Sequence, residues 1–87
     1  MSGGTFSIRV VDDDGDPVSG IEVTCSYGVV SGLHTERTDE DGWATFPIVE
    51  NAFGFGNTPV SHVFIDHEEV HGELNPDDGE TYSFTKP

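Results

Sequence analysis

The chain has 87 residues, enough for one small domain, and carries 17 acidic residues against three basic ones, for a net charge of −14. That charge disfavours nucleic acid and anionic membranes as partners. The single cysteine, Cys25, excludes an internal disulfide, and no apolar stretch approaches the roughly 18 residues of a membrane-spanning helix.

The first half of the chain predicts two strands separated by an acidic turn. Residues 1–4 are expected to be a flexible N-terminus, and residues 5–87 a single domain. Apolar and polar residues alternate in 6–11 and again in 21–27, the period of a half-buried strand. Residues 12–20 between them hold four aspartates, two glycines and a proline, which favours a turn, with a bulge expected around residues 19 and 20.

The middle of the chain predicts a second unit of the same kind. A weak third strand at 33–37 is followed by an acidic turn at 38–42 and a fourth strand at 43–48. Alternation in the fourth strand places Trp43 on the outer face. Pro47 lacks a backbone donor, so this strand should lie at a sheet edge.

The last third begins with a long irregular stretch, residues 50–59, which contains Phe53 and Phe55. Three more strands are predicted after it, at 60–66, 67–74 and 81–85. No window shows helical spacing of apolar residues. About seven short strands with regular turns predict an all-β protein, an antiparallel β-sandwich of the immunoglobulin-like or prealbumin-like kind.

Two turns carry a more specific motif. Residues 15–20 read Gly-Asp-Pro-Val-Ser-Gly after a strand, and residues 38–42 read Thr-Asp-Glu-Asp-Gly before one. Over residues 5–48 this pattern resembles the carboxypeptidase regulatory-like and transthyretin-like (prealbumin-like) sandwich domains. The resemblance implies a sandwich fold and, because these modules are mostly accessory or binding domains, a binding or accessory module, although fold alone does not define function.

One branch of that group hydrolyses 5-hydroxyisourate, and a small hydrolase of this type is the alternative function. The branch has a histidine near the end of the first strand, where this chain has Arg9, and a Tyr-Arg-Gly-Ser tail, where this chain ends in residues 82–87, Tyr-Ser-Phe-Thr-Lys-Pro. Both differences remove groups that the reaction would need. Turnover of hydroxyisourate by the purified protein in high salt would nevertheless establish the hydrolase.

Metal binding is a third function to weigh. Asp12, Asp14 and Asp16 offer the oxygen ligands that calcium prefers, but aspartates also suit turns on their own. His67 and His71 would share a face of a strand about 13 Å apart, too far to chelate one zinc ion unless a turn intervenes. We therefore expect no metal and no other cofactor. A melting temperature that rises with zinc or calcium at fixed ionic strength would show otherwise.

The remaining candidates concern binding. Cys25 falls in the inward register of the second strand and has no identifiable base, so it is expected to be a small core residue. Trp43, Phe53 and Phe55 together predict an exposed apolar binding surface, or else a buried satellite cluster beneath the long loop.

The sequence as a whole predicts a non-catalytic binding or accessory module of a halophile. Carboxylates are scattered through the chain, and their mutual repulsion would be screened in a salt-rich cytoplasm. A cytoplasmic protein is therefore expected. A protein partner is expected in place of nucleic acid or membrane, and the chain itself should be a monomer or a weak homodimer.

Overall fold

A computed structural model describes residues 4–27, 32–49 and 59–87, which form seven β-strands in two sheets and no helix. The strands are β1 Thr5–Val11, β2 Glu22–Ser26, β3 Leu33–Arg37, β4 Trp43–Pro47, β5 His62–Ile65, β6 Glu68–His71 and β7 Thr81–Thr85. Sheet A has the order β4-β1-β7, and sheet B the order β3-β2-β5-β6. The predicted all-β fold of about seven strands is confirmed, and the two sheets are consistent with a sandwich. No helix in the described ranges has the length and apolarity to cross a bilayer.

One strand pairing differs from the antiparallel expectation. The pairs β1–β4, β2–β3, β2–β5 and β5–β6 are antiparallel, but β7 runs parallel to β1, with Val11 beside Thr85. The chain reaches β7 by crossing from sheet B to sheet A. Because no tight hairpin joins β1 to β7, nothing in the connection requires the two strands to be antiparallel.

The core lies between the sheets and is built by alternation. Inward residues of β1, β2, β4 and β5 are almost wholly buried, and the rings of Phe6 and Phe46 stack with centroids 5.6 Å apart. Cys25 is buried among them, as its register predicted, and β4 lies at an edge of sheet A, as Pro47 predicted. The core residues are Phe6, Ile8, Val10, Ile21, Val23, Cys25, Tyr27, Ala44, Phe46, Ile48, Val60, Val63, Ile65 and Leu74.

Thr38 fixes the corner where the chain enters β2. Its buried hydroxyl donates to the carbonyl oxygen of Val18 at 2.7 Å and accepts from the N–H of Ile21 at 3.0 Å. The N–H of Gly20, which has a φ of +71°, donates to the Thr38 carbonyl oxygen. Residues 18–20 thus lie outside the strands, and the prediction of a β-bulge around residues 19 and 20 is wrong. The register shift among the described strands lies between Val63 and Phe64.

A two-residue turn joins β5 to β6. Asp66 and His67 both have positive φ, 51° and 70°, as the central residues of a type I′ hairpin do. His67 therefore belongs to the turn and not to the strand predicted at 67–74. Asp and His tolerate the left-handed region better than most residues, which lets this turn form without glycine.

Candidate functional site

The outer face of sheet A carries no acidic residue. Its three strands have seven, five and five residues, and none of these is Asp or Glu, although the chain contains 17 acids. We call the outward side chains of this sheet the acid-free face. They are Thr5, Ser7, Arg9, Val11, Trp43, Thr45, Pro47, Thr81, Ser83 and Thr85.

Acidic residues are concentrated at the ends of this sheet and on sheet B. One end holds the aspartate turns at 12–16 and 39–41, and the other holds the acidic turn at 77–80. The strands of sheet B contain four acids, Glu22, Glu36, Glu68 and Glu69. Carboxylates therefore border the acid-free face without lying on it.

Arg9 and Trp43 lie side by side on this face. They are direct cross-strand partners, and the Arg9 guanidinium lies over the Trp43 ring at 5.7 Å from its centroid. Such a contact is a cation–π interaction. Arg9 Nε also donates to the carbonyl oxygen of Asp41 at 3.2 Å. Arg9 makes no ion pair in the described part of the chain, so its charge stays available to a ligand.

The acidic turn beside Trp43 fixes its backbone. Asp39 Oδ1 accepts from the N–H of Asp41 at 2.9 Å and from that of Trp43 at 3.0 Å. This carboxylate is thereby committed to the turn. Trp43 lies partly exposed on the outer face, the orientation that alternation predicted.

Hydroxyl groups supply the rest of the surface. Ser7 Oγ and Thr45 Oγ1 lie 3.4 Å apart across β1 and β4, and the outward residues of β7 are Thr, Ser and Thr. A hydroxyl can donate or accept a hydrogen bond. Covering this face desolvates no carboxylate, which avoids the largest penalty of burying a charged surface. The face can therefore bind a partner through hydrogen bonds, the Trp43 ring and one cation.

The other two predicted members of the binding surface, Phe53 and Phe55, lie outside the described residues, as does nearly all of the irregular stretch 50–59 that contains them. Their contribution stays a prediction. The register that sets Arg9 opposite Trp43 could not be read from the sequence, because alternation gives the face of a residue but not its cross-strand partner.

The aspartate candidates for a metal site do come together. Oxygens of Asp12, Asp14 and Asp16 lie within 4.8 Å of one another, the one such group of three among the described residues. However, Asp12 Oδ1 already accepts the N–H groups of Asp14 at 2.9 Å and Asp16 at 3.0 Å. The Asp12 side chain thus stabilises the turn that it begins, and the close approach of the three carboxylates is explained without a bound ion.

The histidine candidates are not brought together. His67 Nε2 lies 3.3 Å from Glu22 Oε1 on β2, whereas His71 Nδ1 lies 3.2 Å from the carbonyl oxygen of Gly72, with its ring against Phe84. Each ring thus has a separate partner.

Two buried titratable residues, Cys25 in β2 and Tyr27 just after it, are unsuited to act as nucleophiles. Burial raises the pKa of the Cys25 thiol to about 12, so the reactive thiolate is scarce at neutral pH. Burial, with the neighbouring Cys25, also raises the pKa of Tyr27, whose hydroxyl donates to the Pro47 carbonyl oxygen at 2.7 Å. Both side chains serve the core.

A shallow cleft of about 300 Å³ at one end of the sandwich was missed by sequence reasoning. Residues 18–22, Arg37, Asp66, His67 and Lys86 line it. Its basic residues come from three distant segments, so no local motif could reveal it. Arg37 and His67 both contact Glu22, at 3.7 and 3.3 Å.

No protein-family model matches the chain, and no curated protein matches it.

Proposed function

We propose that this protein is a non-catalytic binding or accessory module and that the acid-free face is its binding surface. The observation that carries the proposal is the absence of Asp and Glu from all three strands of sheet A in a chain with 17 acids. Arg9 and Trp43 are the expected hot spot, since Trp and Arg dominate binding energy at protein interfaces.

The charge pattern supports a specific physical reason for this assignment. A surface carboxylate that is covered by a partner loses its hydration, and without a compensating cation this loss opposes binding. The outer face of sheet B would place Glu22 and Glu69 in such an interface. Sheet A avoids that loss and presents one cation and an aromatic ring instead.

We further propose that the protein works in a salt-rich cytoplasm. The support is the net charge of −14 together with the crowding of carboxylates in the aspartate turn. At molar salt the Debye length falls to about 3 Å, and the turns can then hold their charge with little mutual repulsion. A protein partner fits this setting better than nucleic acid or an anionic membrane, which the acidic turns would repel.

Substitution of one threonine by glutamate on each sheet tests the binding surface. Thr45 and Thr35 are matched sites, because each is an exposed threonine in the middle of an edge strand with a hydroxyl neighbour on the adjacent strand. We expect Thr45→Glu and Trp43→Ala each to weaken binding to a protein captured from the source cells at high salt by about tenfold or more. Thr35→Glu, on sheet B, should leave binding within about twofold.

The readout is the bound fraction of that protein at a series of bait concentrations in 2 M KCl, with thermal melts to confirm that all variants are folded. Equal binding by Thr45→Glu and wild type, or selective loss in Thr35→Glu, would contradict the assignment of the surface to sheet A.

A further inference from the structure

Strand β7 is an open, uncharged edge. Among the described strands it pairs only with β1, so its other side has no neighbour in sheet A. The edges of sheet B are different, since β3 contains Glu36 and Arg37 and β6 contains Glu68 and Glu69. Charged residues at an edge discourage pairing with another chain, and an uncharged edge permits it.

The backbone hydrogen bonds between β1 and β7 define which groups of β7 are free for such pairing. The N–H of Ser7 donates to the Glu80 carbonyl oxygen at 3.0 Å, and the N–H of Lys86 donates to the Val11 carbonyl oxygen at 2.7 Å. In a parallel ladder the bonding groups of one strand alternate, so the even-numbered residues of β7 face β1. The odd-numbered residues therefore direct their N–H and C=O groups away from sheet A. They are Thr81, Ser83 and Thr85.

The sequence of this segment complements itself. Residues 80–86 read Glu-Thr-Tyr-Ser-Phe-Thr-Lys. When a second copy is laid antiparallel about Ser83, Thr81 lies opposite Thr85, Tyr82 opposite Phe84, and Glu80 opposite Lys86. Like residues or like rings therefore face each other, and at both ends an acid faces a base, a favourable set of cross-strand pairs.

From this edge and its sequence we propose that the protein forms a two-fold symmetric dimer through antiparallel pairing of β7 with β7 of a second copy. Lys86 is the only lysine, and it makes no ion pair in the described part of the chain. The dimer gives it a carboxylate partner, Glu80 of the second copy. The other uncharged edge, β4, is less suited because Pro47 cannot donate.

The dimer joins the two copies of sheet A into one continuous sheet. Ser83 would exchange backbone bonds with Ser83 of the second copy, as would Thr81 with Thr85. Because the symmetry axis is perpendicular to the sheet, outward residues stay outward, and the acid-free face continues across the junction. Pairing of β7 with a second β7 requires no partner protein.

The dimer should be weak and should strengthen with salt. One strand pair buries less than the ~800 Å² per partner of a standard interface, so a weak, reversible dimer is expected. Two chains of charge −14 repel each other at low ionic strength, and salt screens that repulsion. The dimer fraction at fixed protein concentration should therefore rise from 0.1 to 1 M KCl.

A charge-reversal cycle tests both the dimer and its register, measured by sedimentation equilibrium of the full chain in 1 M KCl. Lys86→Glu and Glu80→Lys should each weaken dimerisation by roughly tenfold, because symmetry places a like-charge pair at both ends of the junction. The double variant exchanges the two charges, and its dissociation constant should return to within about threefold of the wild-type value.

Arg37→Glu controls for net charge, since it makes the same change as Lys86→Glu on the edge of sheet B, and it should leave the dimer intact. Ser83→Pro removes an outward N–H that no described residue uses, so it should abolish the dimer while the protein still melts cooperatively. A wild-type protein that is monomeric at 1 mM, single variants equal to wild type, or a double variant that fails to recover would each overturn the proposal.

Discussion

Alanine at Gly42 should destabilise the protein severely. Gly42 has a φ of +83°, and a Cβ atom there would lie 2.7 Å from the carbonyl oxygen of Val10 and 3.1 Å from Pro17 Cβ. The left-handed backbone alone costs a residue with a side chain about 1 kcal/mol, and the clash with a fixed carbonyl adds to it. We expect a total loss of about 4 kcal/mol, a large part of the stability of so small a domain.

Gly15 provides the matched control for that substitution. It has nearly the same φ, +86°, but no atom of the described residues lies within 4 Å of an added Cβ. Gly15→Ala should therefore show the conformational cost alone, about 1 kcal/mol. The measurement is urea unfolding of both variants in 2 M KCl. If the two variants lost similar amounts of unfolding free energy, the close contact of the 38–42 turn with Val10 and Pro17 would be contradicted.

The second large effect is that of salt on stability. The carboxylates of Asp12, Asp14 and Asp16 lie within 4.8 Å of one another, and charges at such a distance repel by about 1 kcal/mol per pair in water at low salt. Relief of about 2 kcal/mol corresponds to a rise in melting temperature of roughly 10 °C in a domain of this size. We expect at least that rise between 0.1 and 2 M KCl.

A charge-removal variant separates screening from the general strengthening of apolar contacts by salt. In Asp14→Asn/Asp16→Asn, Asp12 Oδ1 keeps the two backbone bonds that hold the turn. The variant should melt at a higher temperature than wild type in 0.1 M KCl and at nearly the same temperature in 2 M KCl. Identical melting of the wild type at both salt concentrations would exclude salt adaptation.

Local patterns predicted the strands well. The bounds of β3 and β7 agree with the sequence prediction, and those of β1 and β4 differ by one residue at one end. Period-two alternation carries this information within a single segment, which is why the inward position of Cys25 and the outward position of Trp43 were also accessible.

Pairing between distant strands could not be predicted in the same way. The parallel alignment of β7 with β1 and the contact of Arg9 with Trp43 depend on the register between segments far apart in the chain. Thr38 illustrates the same limit, because it appears in the sequence as part of an acidic turn, yet its hydroxyl bonds two backbone groups 17 and 20 residues earlier.

The turn at Asp66 and His67 was missed for a different reason. The usual sequence signal of a two-residue hairpin turn is Asn-Gly or Asp-Gly, and this turn has no glycine. The available signal was an Asp-His pair between two alternating segments, since both residues accept positive φ more readily than most.

Site-specific photo-crosslinking tests the assignment of the binding surface most directly. A photoreactive residue would be placed at Thr45 on sheet A or at Thr35 on sheet B, and each protein would be irradiated in the source cells or in their extract at high salt. The acid-free face predicts a covalent adduct to another macromolecule from position 45 and little or none from position 35. Adducts of equal yield from both positions, or from position 35 alone, would contradict it.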